Sequence, residues 1–123
     1  MVSFMDLWIW KEAIKLMKEL HDIANRLPKE ERFKKKDQIE RSSYSVADNI
    51  AEGYGSYYYM DKIKSFYVAR KEAAEIQSHI SSLTVKQYID GDLGEGLIRR
   101  YEKLITGING YIKYIRLKSG MKR

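Results

Sequence analysis

The chain has 123 residues, enough for one domain and one core but not for two. It has no cysteine, which excludes disulfides and thiolate chemistry, and no apolar run nears the roughly 18 to 20 residues of a membrane span. The net charge is +6 and unevenly placed: all 17 acidic residues precede position 103, whereas Lys103, Lys113, Arg116, Lys118, Lys122 and Arg123 share the remaining stretch with no acid.

The opening "MVSFMDLWIWKEAIKL" meets Asp6, Lys11 and Glu12, unlike the basic start and apolar stretch of a signal peptide. A soluble cytoplasmic protein is the expectation. A single proline and 33% charged residues favour long helices over many-turned β structure. The first helix is predicted from about 6 to 27. Ile9, Ala13, Leu16, Leu20, Ile23 and Leu27 keep the spacing of one helical face, with Leu7, Trp10, Ile14 and Met17 beside them. Ser3 or Asp6 is positioned to cap its start, and Pro28 stops it.

"PKEERFKKK" reads as a charged connector. The second helix is predicted from about 36 to 53, with Ile39, Ser43, Val46, Ile50 and Gly53 or Tyr54 inward. Ser42, Ser45, Asn49 and Glu52 make a second, polar stripe, suited to solvent or to another helix. The third helix is predicted from about 59 to 88, with Ile63, Phe66, Ala69 or Arg70, Ala73, Ile76, Ile80 and Leu83 on its period. "DGDLGEG" reads as a turn. The fourth helix is predicted from about 94 to 118, with Leu97, Tyr101, Leu104, Ile108, Tyr111 or Ile112 and Ile115 inward. Gly107 and Gly110 inside it mark either close backbone approach or a packing gap for a tyrosine. Four helices with short connections imply a single-domain, all-α, antiparallel up-down four-helix bundle.

Catalytic chemistry finds little support. A di-metal bundle needs inward Glu residues and paired Glu-x-x-His motifs, whereas this chain has two histidines, neither in that pattern. No serine lies in a strand–turn–helix elbow, and "GYGS" lacks the lysine of a phosphate loop. A Glu52–Glu75 pair could serve acid–base work, but a carboxylate in a bundle usually pairs with arginine. No catalytic residue, metal ligand or cofactor is assigned, and a non-enzyme is expected.

Nucleic-acid binding has more behind it. On the fourth helix Tyr111, Lys113, Tyr114, Arg116 and Lys118 interleave rings and cations. Cations contact phosphate, and exposed rings stack on unpaired bases. Lys113, Tyr114, Arg116, Lys118, Lys122 and Arg123 are the candidate contacts, with Arg99, Arg100 and Lys103 extending the patch. The alternative is a solubilising helix end, with cations placed to suit the helix dipole.

The segment "LPKEERF…QIERSSYSVADNIAEGYG" resembles the signature of the four-helix-bundle proteins related to the 23S ribosomal RNA intervening-sequence protein. The matching residues are Trp10, Pro28, Glu31, Arg32, Gln38, Arg41, Ser45, Val46, Asn49, Ile50, Ala51, Glu52 and Gly53, with Ala69, Arg70 and Glu75 in the third helix. Two positions depart from that pattern. Ala47 stands where the family has proline, which implies a weaker bend, and Lys71–Glu72 stands where it has Gly-Ser, which implies a reoriented helix contact. The resemblance implies a homopentameric barrel with a non-enzymatic role in an RNA setting. Some relatives are encoded within ribosomal RNA intervening sequences. Others are accessory variability determinants of diversity-generating retroelements, which join a reverse transcriptase to its template RNA. A protein-interaction scaffold without tight RNA binding is the other role it allows.

Within this pattern "NIAEG" reads as architecture. Asn49 or Glu52 is expected to bond across to the first or third helix, with Arg41 or Arg70 as partner, because an isolated buried carboxylate is too costly. Gly53 or Gly55 is expected to take the left-handed conformation that closes a helix.

Overall fold

The computed structural model describes residues 3–120. Among these residues there is no strand, and four long helices carry the fold: α1 (Trp8–Asn25), α2 (Asp37–Gly55), α3 (Tyr59–Val85) and α4 (Gly91–Ser119). α1 packs on α2, α2 on α3, α3 on α4, and α4 returns to α1. That cyclic order of neighbours is a four-helix bundle. Every inward residue expected on α3 and α4 is buried, from Ile63 to Leu83 and from Leu97 to Ile115, with Tyr111 half-buried beside Ile112. On α1 the face holds except that Ile23 is only half-buried, and Ala24 takes the inward place.

The boundaries move where capping chemistry overrides periodicity. Ser3 does cap, but it caps a separate 3-10 turn (Phe4–Asp6), accepting from Met5 N at 3.2 Å while Asp6 accepts from Ser3 N at 3.1 Å. α1 therefore starts at Trp8, not Asp6. The connector is not an open charged loop. A helical turn (Lys29–Glu31) and a π-turn (Arg32–Lys36) run without a break into α2, and Glu31 is buried, accepting from Lys86 Nζ at 3.0 Å. The "DGDLGEG" segment is mostly helix. Asp90 Oδ2 accepts from the N–H groups of Asp92 and Leu93, starting α4 at Gly91. α3 ends at Val85 through two backbone bonds, Tyr88 N to Leu83 O and Gln87 N to Thr84 O, each 2.9 Å. Gln87 supplies the left-handed residue that motif needs, at φ 66°.

The glycines of the motif behave differently from the expectation. Neither Gly53 nor Gly55 has positive φ; Ser56 closes α2 instead, its N–H and hydroxyl both bonded to Glu52 O at 2.8 and 2.7 Å. Gly53 is needed for space: a Cβ there would lie 2.9 Å from the Phe66 ring of α3. Gly107 plays the same part between α4 and α1, where a Cβ would lie 2.7 Å from both Ile9 and Trp8. Gly110 has open space beside it. Ala47 is buried within an unbroken α2.

Helix lengths shape one end of the bundle. At about 1.5 Å per residue, the 18 residues of α1 span roughly 27 Å and the 29 of α4 roughly 43 Å. Gly107 sits against the first turn of α1, so α4 from residue 108 onward runs past the start of that helix. The end formed by the start of α3 and the finish of α2 and α4 lacks a full fourth wall.

Candidate nucleic-acid interface

At this open end α4 forms a ridge with different chemistry on its two flanks. One flank is aromatic. A groove of about 380 Å³ is lined by Gly53, Tyr54, Tyr59, Lys62, Phe66, Tyr111, Tyr114, Ile115 and Lys118. A neighbouring hollow of about 540 Å³, lined by Leu7, Tyr54, Gly107, Gly110, Tyr111 and Tyr114, shares three of those tyrosines and so continues it. Tyr111 stacks on Phe66 at 5.8 Å between centroids, and burial, aided by Tyr54, raises its phenol pKa. Tyr114 and Tyr59 are exposed, with Lys118 Nζ 6.0 Å from the Tyr114 ring. Beyond the rim, Tyr57 and Tyr58 meet edge to face at 5.0 Å and are 86% and 67% exposed. Lys62 is committed elsewhere: its Nζ donates to the carbonyls of Tyr54 (2.7 Å) and Gly53 (3.4 Å), closing the carboxyl end of α2.

The other flank is cationic. A cleft of about 460 Å³ between α3 and α4 is lined by Tyr67, Arg70, Asn109, Ile112, Lys113, Arg116 and Leu117. The guanidiniums of Arg70 and Arg116 lie 4.7 and 5.6 Å from the centroid of the Tyr67 ring. Arg70 donates to Asn109 Oδ1 at 2.8 Å, and Arg116 Nη2 donates to the Tyr67 hydroxyl. Arg116 Nε is buried and makes no hydrogen bond. Among the described residues no carboxylate lines the cleft or the aromatic groove; Glu52 and Asp61 are exposed near the same end but stand outside both.

The expected patch is therefore shorter than the sequence suggested. Arg99 pairs with Glu95 on its own helix, and Arg100 bonds Glu12 (2.9 Å) and Glu19 (2.6 Å) of α1, so neither contributes free charge. Both also lie roughly 20–28 Å along α4 from the stretch between Lys113 and Lys118. Lys103 and Lys113 are exposed. Lys122 and Arg123 lie outside the described residues. The basic run of the connector is tied down in part: Lys36 pairs with Glu40 at 3.0 Å and Lys35 Nζ sits 3.0 Å from His79 Nδ1, while Arg32 and Lys34 are exposed.

The motif residues serve packing, with partners other than those expected. Arg41 crosses from α2 to α3, donating to Glu75 at 3.2 Å and to the buried Glu72 at 3.5 Å. Glu72, the departure from the family pattern, is thus the buried end of this contact, and Glu75 is an ion-pair partner. Asn49 stays on its own helix, bonding Ser45 O at 2.9 Å, and Glu52 is exposed; the expected bond from either across to another helix is not made. A short amide reaches its own preceding turn without bridging the gap between helices, and near the end of α2 a carboxylate has water at hand. Arg70, expected to serve packing, instead joins the cationic cleft. Tyr67 was not singled out at all. Its spacing of three from Arg70 was visible, but the approach of Arg116 depends on how α3 and α4 pair.

Both histidines are used between elements: His21 Nε2 lies 2.9 Å from Ser43 Oγ, and His79 meets Lys35. Among the described residues, no group of three or more His, Cys, Asp or Glu side chains is placed to hold a metal ion, and no helix is long and apolar enough to cross a membrane.

No curated protein matches the chain. A crystal structure from Bacteroides thetaiotaomicron, described as a protein with unknown function from the S23 ribosomal protein family, superposes with a TM-score of 0.78 at 23% identity, covering 85% of this chain and 95% of that one. At that identity the likeness speaks for the fold alone. The family model of the 23S rRNA-intervening sequence protein matches residues 5–110. Lys113, Arg116 and Lys118 lie just beyond the matched segment. With the match spanning most of its length, the chain belongs to the 23S rRNA-intervening sequence protein family.

Proposed function

We propose that this protein is a non-enzymatic, nucleic-acid-binding accessory protein that takes RNA on the open end of its bundle. The observation that carries this reading is the α4 ridge: Arg70, Lys113 and Arg116 on one flank and exposed tyrosines with Lys118 on the other, with no carboxylate among the described residues lining either. Cations supply the sequence-independent attraction to phosphate, and the rings offer surfaces for unpaired bases. The family's name ties it to ribosomal RNA genes, a setting in which an RNA ligand is at hand. The protein works, in this reading, as a homopentamer, and five copies at +6 would carry about +30, so weak individual contacts gain through avidity. A reverse transcriptase with its template RNA is the proposed protein partner.

The test is RNA affinity measured across salt for the wild type and for a variant with Lys113, Arg116, Lys118, Lys122 and Arg123 changed to glutamine. Contact with about four phosphates of a single strand lowers affinity roughly fiftyfold between about 50 and 200 mM salt. The variant should bind weakly with a shallower slope. Equal affinity in both proteins, or a flat slope, removes RNA binding. It would leave the second reading, a protein-interaction scaffold, which the exposed Tyr57, Tyr58, Met60 and Leu117 at the same end favour.

A further inference from the structure

The two arginines flanking Tyr67 pose an electrostatic problem. Arg70 and Arg116 come from different helices, yet both guanidiniums lie within 6 Å of one ring centroid, and Lys113 lines the same cleft. Arg41, Arg99 and Arg100 each have a carboxylate partner; Arg70 and Arg116 have none among the described residues. Their hydrogen bonds go to neutral groups, the Asn109 amide oxygen and the Tyr67 hydroxyl. Like charges gathered without a counter-ion repel one another, and Arg116 Nε is buried with no acceptor. An anion between them offsets that repulsion. A guanidinium fork matches the spacing of phosphate oxygens, and the cation–π contacts on Tyr67 hold both forks in place beforehand.

We propose that this cleft is a phosphate-binding site, in which Arg70 and Arg116 take the phosphate oxygens, Lys113 supplies further charge, and Tyr67 holds the two guanidiniums. Resting on the RNA reading above, the phosphate is one of the nucleic-acid backbone, seated while neighbouring bases reach the tyrosine groove across the α4 ridge. A free phosphate or a small phosphorylated molecule offers the same group.

The experiment compares the wild type with Arg70→Gln and Lys71→Gln. Both variants lose one positive charge from exposed or half-exposed positions on α3, but Lys71 is not part of the cleft. Circular dichroism first establishes that both are folded. In one arm, binding of a single-stranded RNA of roughly 12 nucleotides is measured across salt. Arg70→Gln should lose about tenfold in affinity and reduce the salt slope by about one, with Lys71→Gln within about twofold of wild type. In the other arm, thermal midpoints are compared in inorganic phosphate and in chloride of equal ionic strength. Phosphate should raise the midpoint of the wild type and of Lys71→Gln but not of Arg70→Gln. If only the phosphate arm responds, the cleft stands as a site for a small phosphate and the RNA reading fails there. If RNA binds but the two variants behave alike and phosphate protects none, the cleft is overturned while RNA binding stands.

Discussion

Gly53→Ala probes the helix contact behind "NIAEG". The added methyl would stand 2.9, 3.0 and 3.1 Å from Cε2, Cδ2 and Cζ of Phe66. Carbon atoms rest at about 3.5–4.0 Å, so the ring must withdraw by roughly 0.5–1 Å. Phe66 is only 1% exposed and lies stacked on Tyr111, so moving it disturbs a second ring. Overpacking of this kind costs about 1–3 kcal/mol. Alanine returns up to about 1 kcal/mol of helix propensity, less in the last turn of a helix. The net expectation is a loss of about 1–2 kcal/mol. Gly55→Ala is the control, since nothing lies within 4 Å of its new Cβ, and it should be neutral or slightly stabilising. Urea denaturation followed by circular dichroism reads the difference as a fall in midpoint at unchanged slope for Gly53→Ala. Adding Phe66→Leu should recover part of the loss, which a double-mutant cycle would register as coupling. A Gly53→Ala protein as stable as Gly55→Ala would refute the close-approach explanation.

Arg41→Ala leaves the buried Glu72 without its cation. Because Arg41 is itself 58% exposed, the loss should be about 1–2 kcal/mol, below that of a fully buried pair, with partial recovery when Glu72→Gln is added; an unchanged urea midpoint would contradict this. Gln87→Gly should stabilise by about 0.5–1 kcal/mol in the same assay, since Gln87 sits at φ 66° where a side chain is strained. Burial, and then the adjacent Lys35 ammonium, lower the pKa of His79 from its ordinary 6.5, against an upward pull from Glu75. The stability that comes from the neutral ring is thus present above pH 6.5 and is lost as pH falls below it toward the folded-state value. Urea midpoints taken from about pH 7.5 to 5.5 should fall less in His79→Gln than in the wild type; parallel falls would dismiss this assignment.

Periodicity alone identified the apolar faces of the four helices, because burial on a helix follows a fixed angular step. It placed the helix ends less well. Those were decided by local bonds, such as Asp90 capping α4 and Gln87 adopting a left-handed turn, whose residues also suit loops. The "NIAEG" stretch was legible as packing, but the mechanism was not: Gly53 matters through a ring on α3, 13 positions away in sequence. At the candidate interface, Lys113, Tyr114, Arg116 and Lys118 were visible from the interleaving of ring and charge. The Arg99–Glu95 pair was also readable, since four residues separate its members on one helix. Arg100 with Glu12 and Glu19, and Tyr67 with Arg116, are contacts between helices that depend on their relative rotation.

The most direct test of the α4 ridge as the RNA surface is photo-crosslinking of the intact protein to single-stranded RNA, with the joined peptides identified by mass spectrometry. Adducts should fall on Tyr59 to Arg70 of α3 and Tyr111 to Lys118 of α4, and be suppressed by salt. Adducts concentrated instead on Arg32 to Lys36, in the connector between α1 and α2, would contradict the account.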